Sequence, residues 1–201
     1  KDAEFVIVVI GTPVDEHLNP KFAAIKKFFL EYIPHLRSGQ TIILRSTVFP
    51  GTTDKVAKLL KKKGLNVNVS FCPERIAEGY AMKELFELPQ IVSGTTKEAE
   101  KRSKELFLSI AKETIPLSPM AAELSKLFTN VYRYIHFSIA NQFYMIAQDW
   151  GLDFYEIYNA MTYNYPRAKH MPRPGLTAGP CLFKDTMQLA AFNNNNFFLG
   201  H

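Results

Sequence analysis

Short β-branched runs alternate with helix-like stretches through the first half of the chain, and this alternation restricts the fold more than any other feature. Phe5–Ile10 is a continuous apolar run, typical of a strand buried on both faces of a parallel sheet. Further strands are predicted at Thr41–Leu44, Val67–Phe71, Gln90–Ser93 and Glu113–Ile115, and helices over about residues 20–36, 52–64 and 97–110. The alternation predicts an α/β layer with right-handed connections and a mostly parallel sheet.

A different pattern begins after Pro119. From there to Trp150 no helix breaker occurs, and apolar side chains recur every three or four residues, which predicts one long helix that is largely buried. The apolar stripe consists of Leu124, Phe128, Val131, Ile135, Ile139, Phe143 and Ile146. A second helix is predicted from Asp153, its N-cap, to Met161. A stretch rich in proline and glycine follows, and a last helix is predicted to start near Asp185.

Charge and composition exclude several classes of function. The formal net charge of +5 is spread along helix-like stretches, which suits an anionic small molecule but not nucleic acid. No apolar run approaches the roughly 20 residues of a membrane span. Two distant cysteines, Cys72 and Cys181, form no disulfide framework and favour a reducing, cytoplasmic setting. The five histidines have no metal-ligand spacing, so no metal is predicted.

Cys181 is the sharpest candidate for chemistry. It follows a Gly-Pro pair just before a predicted helix start, with Lys184 and Asp185 close behind. A helix N-terminus and a neighbouring lysine both stabilise a thiolate, and Asp185 can hydrogen-bond the thiol or a water beside it. The alternative is a small buried apolar cysteine with Asp185 as a plain N-cap. The residues alone leave both interpretations open.

Lys126 and Asn130 lie one helical turn apart and therefore share a face of the long helix. A lysine beside an amide on a largely apolar helix can stabilise an oxyanion. The commoner outcome for such residue types is a polar stripe that faces solvent.

Several polar loops follow the predicted strands, at the edge of the sheet where α/β proteins bind ligands. Glu74 and Glu78 follow the third strand and are candidates for a general base, with a salt-bridged loop as the alternative. The loops after the first two strands contain Gly11, Thr12, Pro13, Ser46 and Thr47, which could line a cofactor cleft. No G-x-G-x-x-G occurs in the chain, so the usual pyrophosphate-binding loop is missing.

Together these motifs resemble the UDP-glucose/GDP-mannose dehydrogenase family. The matching segments, in order, are Gly11-Thr12-Pro13, Ser46-Thr47-Val48, Pro73-Glu74-Arg75 with Glu78-Gly79, Lys126 to Asn130, and Gly179-Pro180-Cys181 with Lys184-Asp185. The resemblance implies the second half of a Rossmann-like parallel sheet, residues 1–116, followed by a central all-helical dimerisation domain, residues 117–201. It also implies that the chain is a fragment, which we expect to be inactive when isolated.

The family resemblance implies NAD-dependent oxidation of the C6 alcohol of a UDP-sugar to a carboxylate. Cys181 is expected to form a thiohemiacetal and then a thioester, Lys126 and Asn130 to stabilise the oxyanion, Asp185 to position water or tune the thiol, and Glu74 to act as base in hydrolysis. Arg75, Glu78, Arg167 and Lys184 are expected at the substrate, and Gly11, Thr12, Pro13, Ser46 and Thr47 at NAD.

Two departures from many UDP-glucose enzymes, Val14 and Arg75, are more similar to the branch that acts on UDP-N-acetylhexosamines such as UDP-N-acetylmannosamine. That substrate class is therefore expected over UDP-glucose. Two alternatives are kept. The chain is a dimerisation module without activity of its own, or it belongs to a β-hydroxyacid-type dehydrogenase, which needs no nucleophile at Cys181.

Overall fold

A computed structural model describes residues 3–11, 22–77, 79–176 and 179–192 of the chain. All five predicted strands are present, as β1 Phe5–Val8, β2 Thr41–Leu44, β3 Asn68–Phe71, β4 Gln90–Val92 and β5 Thr114–Pro116. The first three form one parallel sheet in the order β1-β2-β3, and β4 pairs in parallel with β5. The predicted α/β class with a parallel sheet is confirmed.

The strand β4 passes beside β3 in the opposite direction. Thr95 N donates to Val69 O at 2.9 Å, and the Ser93 hydroxyl donates to Phe71 O at 2.7 Å. The later residue of one segment therefore contacts the earlier residue of the other, as in antiparallel segments. This arrangement brings Gln90, at the start of β4, to the carboxyl end of β3.

Both faces of the sheet are covered, which explains the continuous apolar runs. Ile42 and Leu44 of β2 point into one core, and Ile43 between them points into a second core with Cys72 and Phe107. Because side chains alternate along a strand, the two cores lie on opposite faces.

Seven helices surround and follow the sheet within the described ranges. They are α1 Phe22–Tyr32, α2 Thr52–Lys62, α3 Ala81–Glu87, α4 Lys97–Leu108, α5 Pro119–Asp149, α6 Phe154–Thr162 and α7 Gly179–Phe192, and a 3-10 turn, Ile33–His35, follows α1. Asp153 caps α6 as predicted, since its carboxylate accepts from Tyr155 N at 2.7 Å. The short helix α3 was not predicted, because its seven residues are too few for a clear period.

The helix α2 has no capping side chain of its own. Thr52 and Thr53 both lie inside the helix, and the N-cap is Gly51, which has a left-handed backbone with φ 85° and offers no side chain. The carboxylate of Glu123 on α5 accepts hydrogen bonds from Gly51 N at 2.6 Å and Thr53 N at 2.8 Å instead. A residue 70 positions away therefore supplies the cap.

The prediction that α7 begins near Asp185 was wrong, because the helix starts at Gly179. A proline in the first turn of a helix loses no hydrogen bond and already has a helical φ, so Pro180 begins the helix and does not form a turn before it. Cys181 consequently lies in the first turn of α7, and Asp185 one turn further on is a buried helix residue, not an N-cap.

The prediction that α5 is largely buried through its apolar stripe was also wrong. Phe128 is 54% exposed and Ile146 is 53% exposed. The buried face of α5 consists of Ala122, Glu123, Leu127, Asn130, Val131, Ala140 and Ala147. Besides Leu127 and Val131, this buried face consists of small and polar side chains, and the aromatic side chains of the stripe are not in the core of this chain.

No helix in the described segments is long and apolar enough to span a bilayer. The predicted division at residues 1–116 and 117–201 stays a prediction. The first turns of α5 nonetheless pack on the sheet layer, since Ala122 belongs to the same core as Val56 and Phe71.

Candidate active site

A buried hydrogen bond joins α5 to α7. Asn130 Nδ2 donates to Asp185 Oδ2 at 2.5 Å, and these two residues are only 6% and 1% exposed. The other oxygen, Asp185 Oδ1, has no hydrogen-bond partner among the described groups, although Lys184 Nζ lies 3.6 Å from it. A buried carboxylate with one oxygen unbonded suits a water or a substrate hydroxyl as its remaining donor.

Lys126 lies one turn before Asn130 on the same face of α5. Burial lowers the pKa of Lys126 below its ordinary value, and the nearby carboxylates of Asp185 and Glu74 oppose this change. Lys126 is therefore half-buried near the other candidate catalytic residues Asp185, Glu74 and Cys181. The alternative of a solvent-facing polar stripe does not describe Lys126 and Asn130.

Cys181 is exposed and lies one turn before Asp185 on α7. It lies in the first helical turn, and Lys126 is near enough to interact with it electrostatically. Cys72, by contrast, is fully buried in the second core, and burial raises the pKa of its thiol to about 11. Only Cys181 has the environment of a nucleophile.

Glu74 approaches this group from the loop after β3. Its carboxylate Oε2 pairs with the guanidinium of Arg45, and Oε1 accepts from the amides of Arg75 at 2.8 Å and Ile76 at 3.1 Å. Burial is the largest single influence and raises the pKa of Glu74, but Arg45 and the two amides together lower it below the ordinary value. Glu74 is thus an anion with both oxygens bonded.

The four remaining candidates at the substrate differ in their surroundings. The guanidinium of Arg75 donates to the carbonyl of Pro89. Arg167 is exposed and donates from Nε to the Tyr165 hydroxyl at 2.8 Å. Lys184 lies next to Asp185, as given above, whereas Glu78 lies outside the described residues.

Of the candidate cofactor residues, Gly11, Ser46 and Thr47 follow the carboxyl ends of β1 and β2, which are neighbours in the sheet. A Cβ at Gly11 would meet no atom within 4 Å, so this position borders open space. Ser46 and Thr47 are half-buried in the loop after β2, whereas Thr12 and Pro13 lie outside the described residues. Loops at the carboxyl ends of neighbouring parallel strands are where α/β proteins bind dinucleotides.

Two residues that the sequence did not single out are buried at the centre of this region. Arg45, 7% exposed, directly follows β2 and pairs with Glu74, and Glu123, 1% exposed, lies one turn before Lys126. Their signal in the sequence is weak, because a single charged residue next to a strand or in a helix is usually solvated. Among the described residues, no group of three or more His, Cys, Asp or Glu side chains could bind a metal ion.

The comparison with protein families gives the identity of the chain at the family level. Residues 1–111 match the NAD-binding domain of the UDP-glucose/GDP-mannose dehydrogenase family, and residues 120–198 match its central domain. The chain therefore belongs to the UDP-glucose/GDP-mannose dehydrogenase family, and the predicted cofactor, NAD, is confirmed at the level of the family.

The chain is also similar to individual members of the family. It is 30% identical over 206 residues to a UDP-N-acetyl-D-mannosamine dehydrogenase of Pyrococcus horikoshii, covering 99% of this chain and 49% of that protein. A protein of the same name from Methanocaldococcus jannaschii is 31% identical over 195 residues, covering 91% and 43%. A solved structure of UDP-D-ManNAc dehydrogenase from Pyrococcus horikoshii superposes with a TM-score of 0.89 at 28% identity, covering 99% and 49%. The chain spans about half the length of the curated relatives it matches.

Proposed function

We propose that the natural protein carrying this sequence oxidises the C6 alcohol of a UDP-sugar to a carboxylate through a covalent intermediate on Cys181. The observation that supports this most is the convergence of an exposed first-turn cysteine, a half-buried lysine and a buried Asn130–Asp185 pair. A soft nucleophile that can also leave, a cation and a carboxylate are the groups that a two-step oxidation of an alcohol to an acid requires.

The first oxidation converts the alcohol to an aldehyde, and NAD when bound supplies the hydride acceptor. Lys126 lies where it can stabilise the alkoxide oxygen that forms as the hydroxyl loses its proton. Because desolvation already lowers the pKa of Lys126, its ammonium is weakly hydrated and its charge acts strongly on a neighbouring oxyanion.

The covalent stage uses Cys181. Its sulfur bonds to the aldehyde carbon to give a thiohemiacetal, whose oxyanion Lys126 and Asn130 can stabilise. Transfer of a second hydride to a second molecule of NAD would give a thioester, and water would then break the carbon–sulfur bond to release the acid and the thiol. Asp185 Oδ1 is the free acceptor that can orient this water, with Glu74 as the second carboxylate and general base.

UDP-N-acetylmannosamine or UDP-N-acetylglucosamine is the proposed substrate class over UDP-glucose. Arg75 supports this proposal as a departure from UDP-glucose enzymes. The relatives from Pyrococcus horikoshii and Methanocaldococcus jannaschii are both named UDP-N-acetyl-D-mannosamine dehydrogenase, which agrees with this proposal.

The yield of NADH per sugar tests the proposed reaction. The natural protein is incubated with a limiting amount of each UDP-sugar, and NADH is read by absorbance. We expect two NADH per UDP-N-acetylmannosamine. One NADH would indicate a simple alcohol dehydrogenase, and none with any UDP-sugar would contradict the proposal. This chain, assayed in parallel, tests the expectation that it is inactive by itself.

We also propose a homodimer formed through α5 and α6. The exposed apolar side chains Phe143, Ile146, Trp150, Leu152 and Ile157, with the half-buried Met161, line one groove between these helices. An apolar patch of this kind on one face is typical of a protein–protein interface. The same observation favours the alternative that this chain alone acts as a dimerisation module.

Light scattering after gel filtration tests the dimer. We expect this chain to elute as a dimer and the Ile146→Glu variant as a monomer, because a charge in a buried apolar interface is strongly unfavourable. Met82→Glu is the matched control, since Met82 on α3 is equally apolar and 73% exposed but lies outside the groove. A monomeric wild-type chain would contradict the proposal.

A further inference from the structure

We propose that Arg45 is a positioning residue of the reaction, which fixes the carboxylate of Glu74 beside Lys126 for hydrolysis of the thioester. The inference rests on the function proposed above and adds a residue to it. Arg45 immediately follows β2, and Glu74 lies in the loop that follows β3, the neighbouring strand of the sheet.

Arg45 is held from several sides. Its Nη1 donates to Cys72 O at 3.2 Å, its Nη2 lies 3.4 Å from Gln90 Oε1, and its guanidinium stacks 4.7 Å from the ring centroid of Phe107. Gln90 is fixed in turn, because its amide donates to Leu85 O at 3.3 Å and to the neighbouring carbonyl of Leu88. A buried guanidinium with so many partners has one orientation, and that orientation leaves Nη2 facing Glu74.

The guanidinium of Arg45 and two backbone amides fix the orientation of the Glu74 carboxylate. The guanidinium bonds Oε2 while two consecutive backbone amides bond Oε1. The charged groups around the carboxylate are Arg45 from β2, Arg75 in its own loop and Lys126 from α5. Of these, Arg75 donates its guanidinium to Pro89 O, which leaves Arg45 as the direct ionic partner.

The chemical consequence concerns the ionised state of Glu74. Burial alone would raise the pKa of this carboxyl, and the guanidinium is the main group that reverses the change. Without Arg45, the effect of burial would dominate and the pKa of Glu74 would rise. A protonated Glu74 accepts no proton from water and no longer supports the charge of Lys126, so hydrolysis would slow as the pH falls.

The test compares Arg45→Met, which keeps length without charge, with Arg45→Lys, which keeps the charge. Thioester hydrolysis by the natural protein is followed across pH by single-turnover kinetics. For Arg45→Met we expect the acid limb to move to higher pH, with a roughly tenfold loss of rate on the acid side. Arg45→Lys should restore most of the limb.

A second readout needs no activity. The carboxyl carbon of Glu74, followed by NMR in this chain, should titrate at a higher pH in Arg45→Met than in the wild type. An acid limb that stays at its wild-type pH, or an unmoved Glu74 titration, would overturn the inference. The wild-type NADH yield is measured first, so a failure of the proposed function is recognised separately, as fewer than two NADH before any variant is made.

Discussion

Replacing Cys181 with alanine is expected to remove the second oxidation and to cut the yield from two NADH per sugar to at most one. Without the sulfur no thiohemiacetal forms, so the second hydride transfer gives no thioester that water could hydrolyse to the acid. Loss of a covalent nucleophile reduces turnover by at least about a thousandfold in well-studied enzymes. The measurement is the NADH yield together with turnover of the natural protein and its Cys181→Ala variant.

The matched control is Cys72→Ala. Cys72 lies in the second core, away from the α5–α7 pair, so this variant should keep the yield of two while losing some stability. Alkylation of the native chain should modify Cys181 alone, since Cys72 is buried and its pKa is raised to about 11. If Cys181→Ala still gave two NADH per sugar, Cys181 would not be the nucleophile and the covalent route would be contradicted.

The second large effect is on stability. Glu123→Ala is expected to lower the free energy of unfolding by about 3 kcal/mol, because it leaves three donors unpaired in a buried site. The donors are Gly51 N at 2.6 Å, Thr53 N at 2.8 Å and the Thr53 hydroxyl at 2.6 Å. Urea unfolding of this chain, followed by circular dichroism, measures the change.

Glu31→Ala is the control for this experiment. Glu31 is an exposed helical glutamate whose ion pair with Lys27 spans 3.9 Å, so its loss should cost only a few tenths of a kcal/mol. A Glu123→Ala variant as stable as Glu31→Ala would show that water replaces the carboxylate and that the cap contributes little.

The pH dependence of the Glu123 contribution has a definite sign. Burial is the largest influence and raises the pKa of Glu123, with Asp54 adding to it against three hydrogen bonds. The folded state then binds a proton more readily than the unfolded chain, so this part of the stability is present at low pH and is lost as pH rises through the raised pKa. The stability difference between wild type and Glu123→Gln should shrink over that range.

The sequence predicted the strands well because their signal is local. Thr41–Leu44 was predicted at the bounds that the structure shows, since four consecutive residues buried on both faces leave an unbroken apolar run. The pairing of Lys126 with Asn130 followed from helical periodicity, and that of Cys181 with Asp185 also holds, because both lie on one helix.

Contacts between distant segments were out of reach. The bond from Asn130 to Asp185 spans 55 positions, and the pairing of Arg45 with Glu74 depends on how β2 and β3 align in the sheet. Glu123 could not be distinguished from a solvated helix residue, because its partners lie in α2. Local patterns give elements and shared faces, whereas the packing of those elements decides which charges meet.

Two helical turns of α5, from Glu123 to Asn130, connect the start of α2 with α7. Glu123 is bound to the start of α2, and Asn130 is bound to α7, with Lys126 between them. Inserting or deleting one residue in this segment would rotate one contact by about 100° relative to the other. The number of residues between Glu123 and Asn130 therefore matters as much as which residues they are. A chimaera that exchanges helical domains between relatives must place its junction outside residues 123–130.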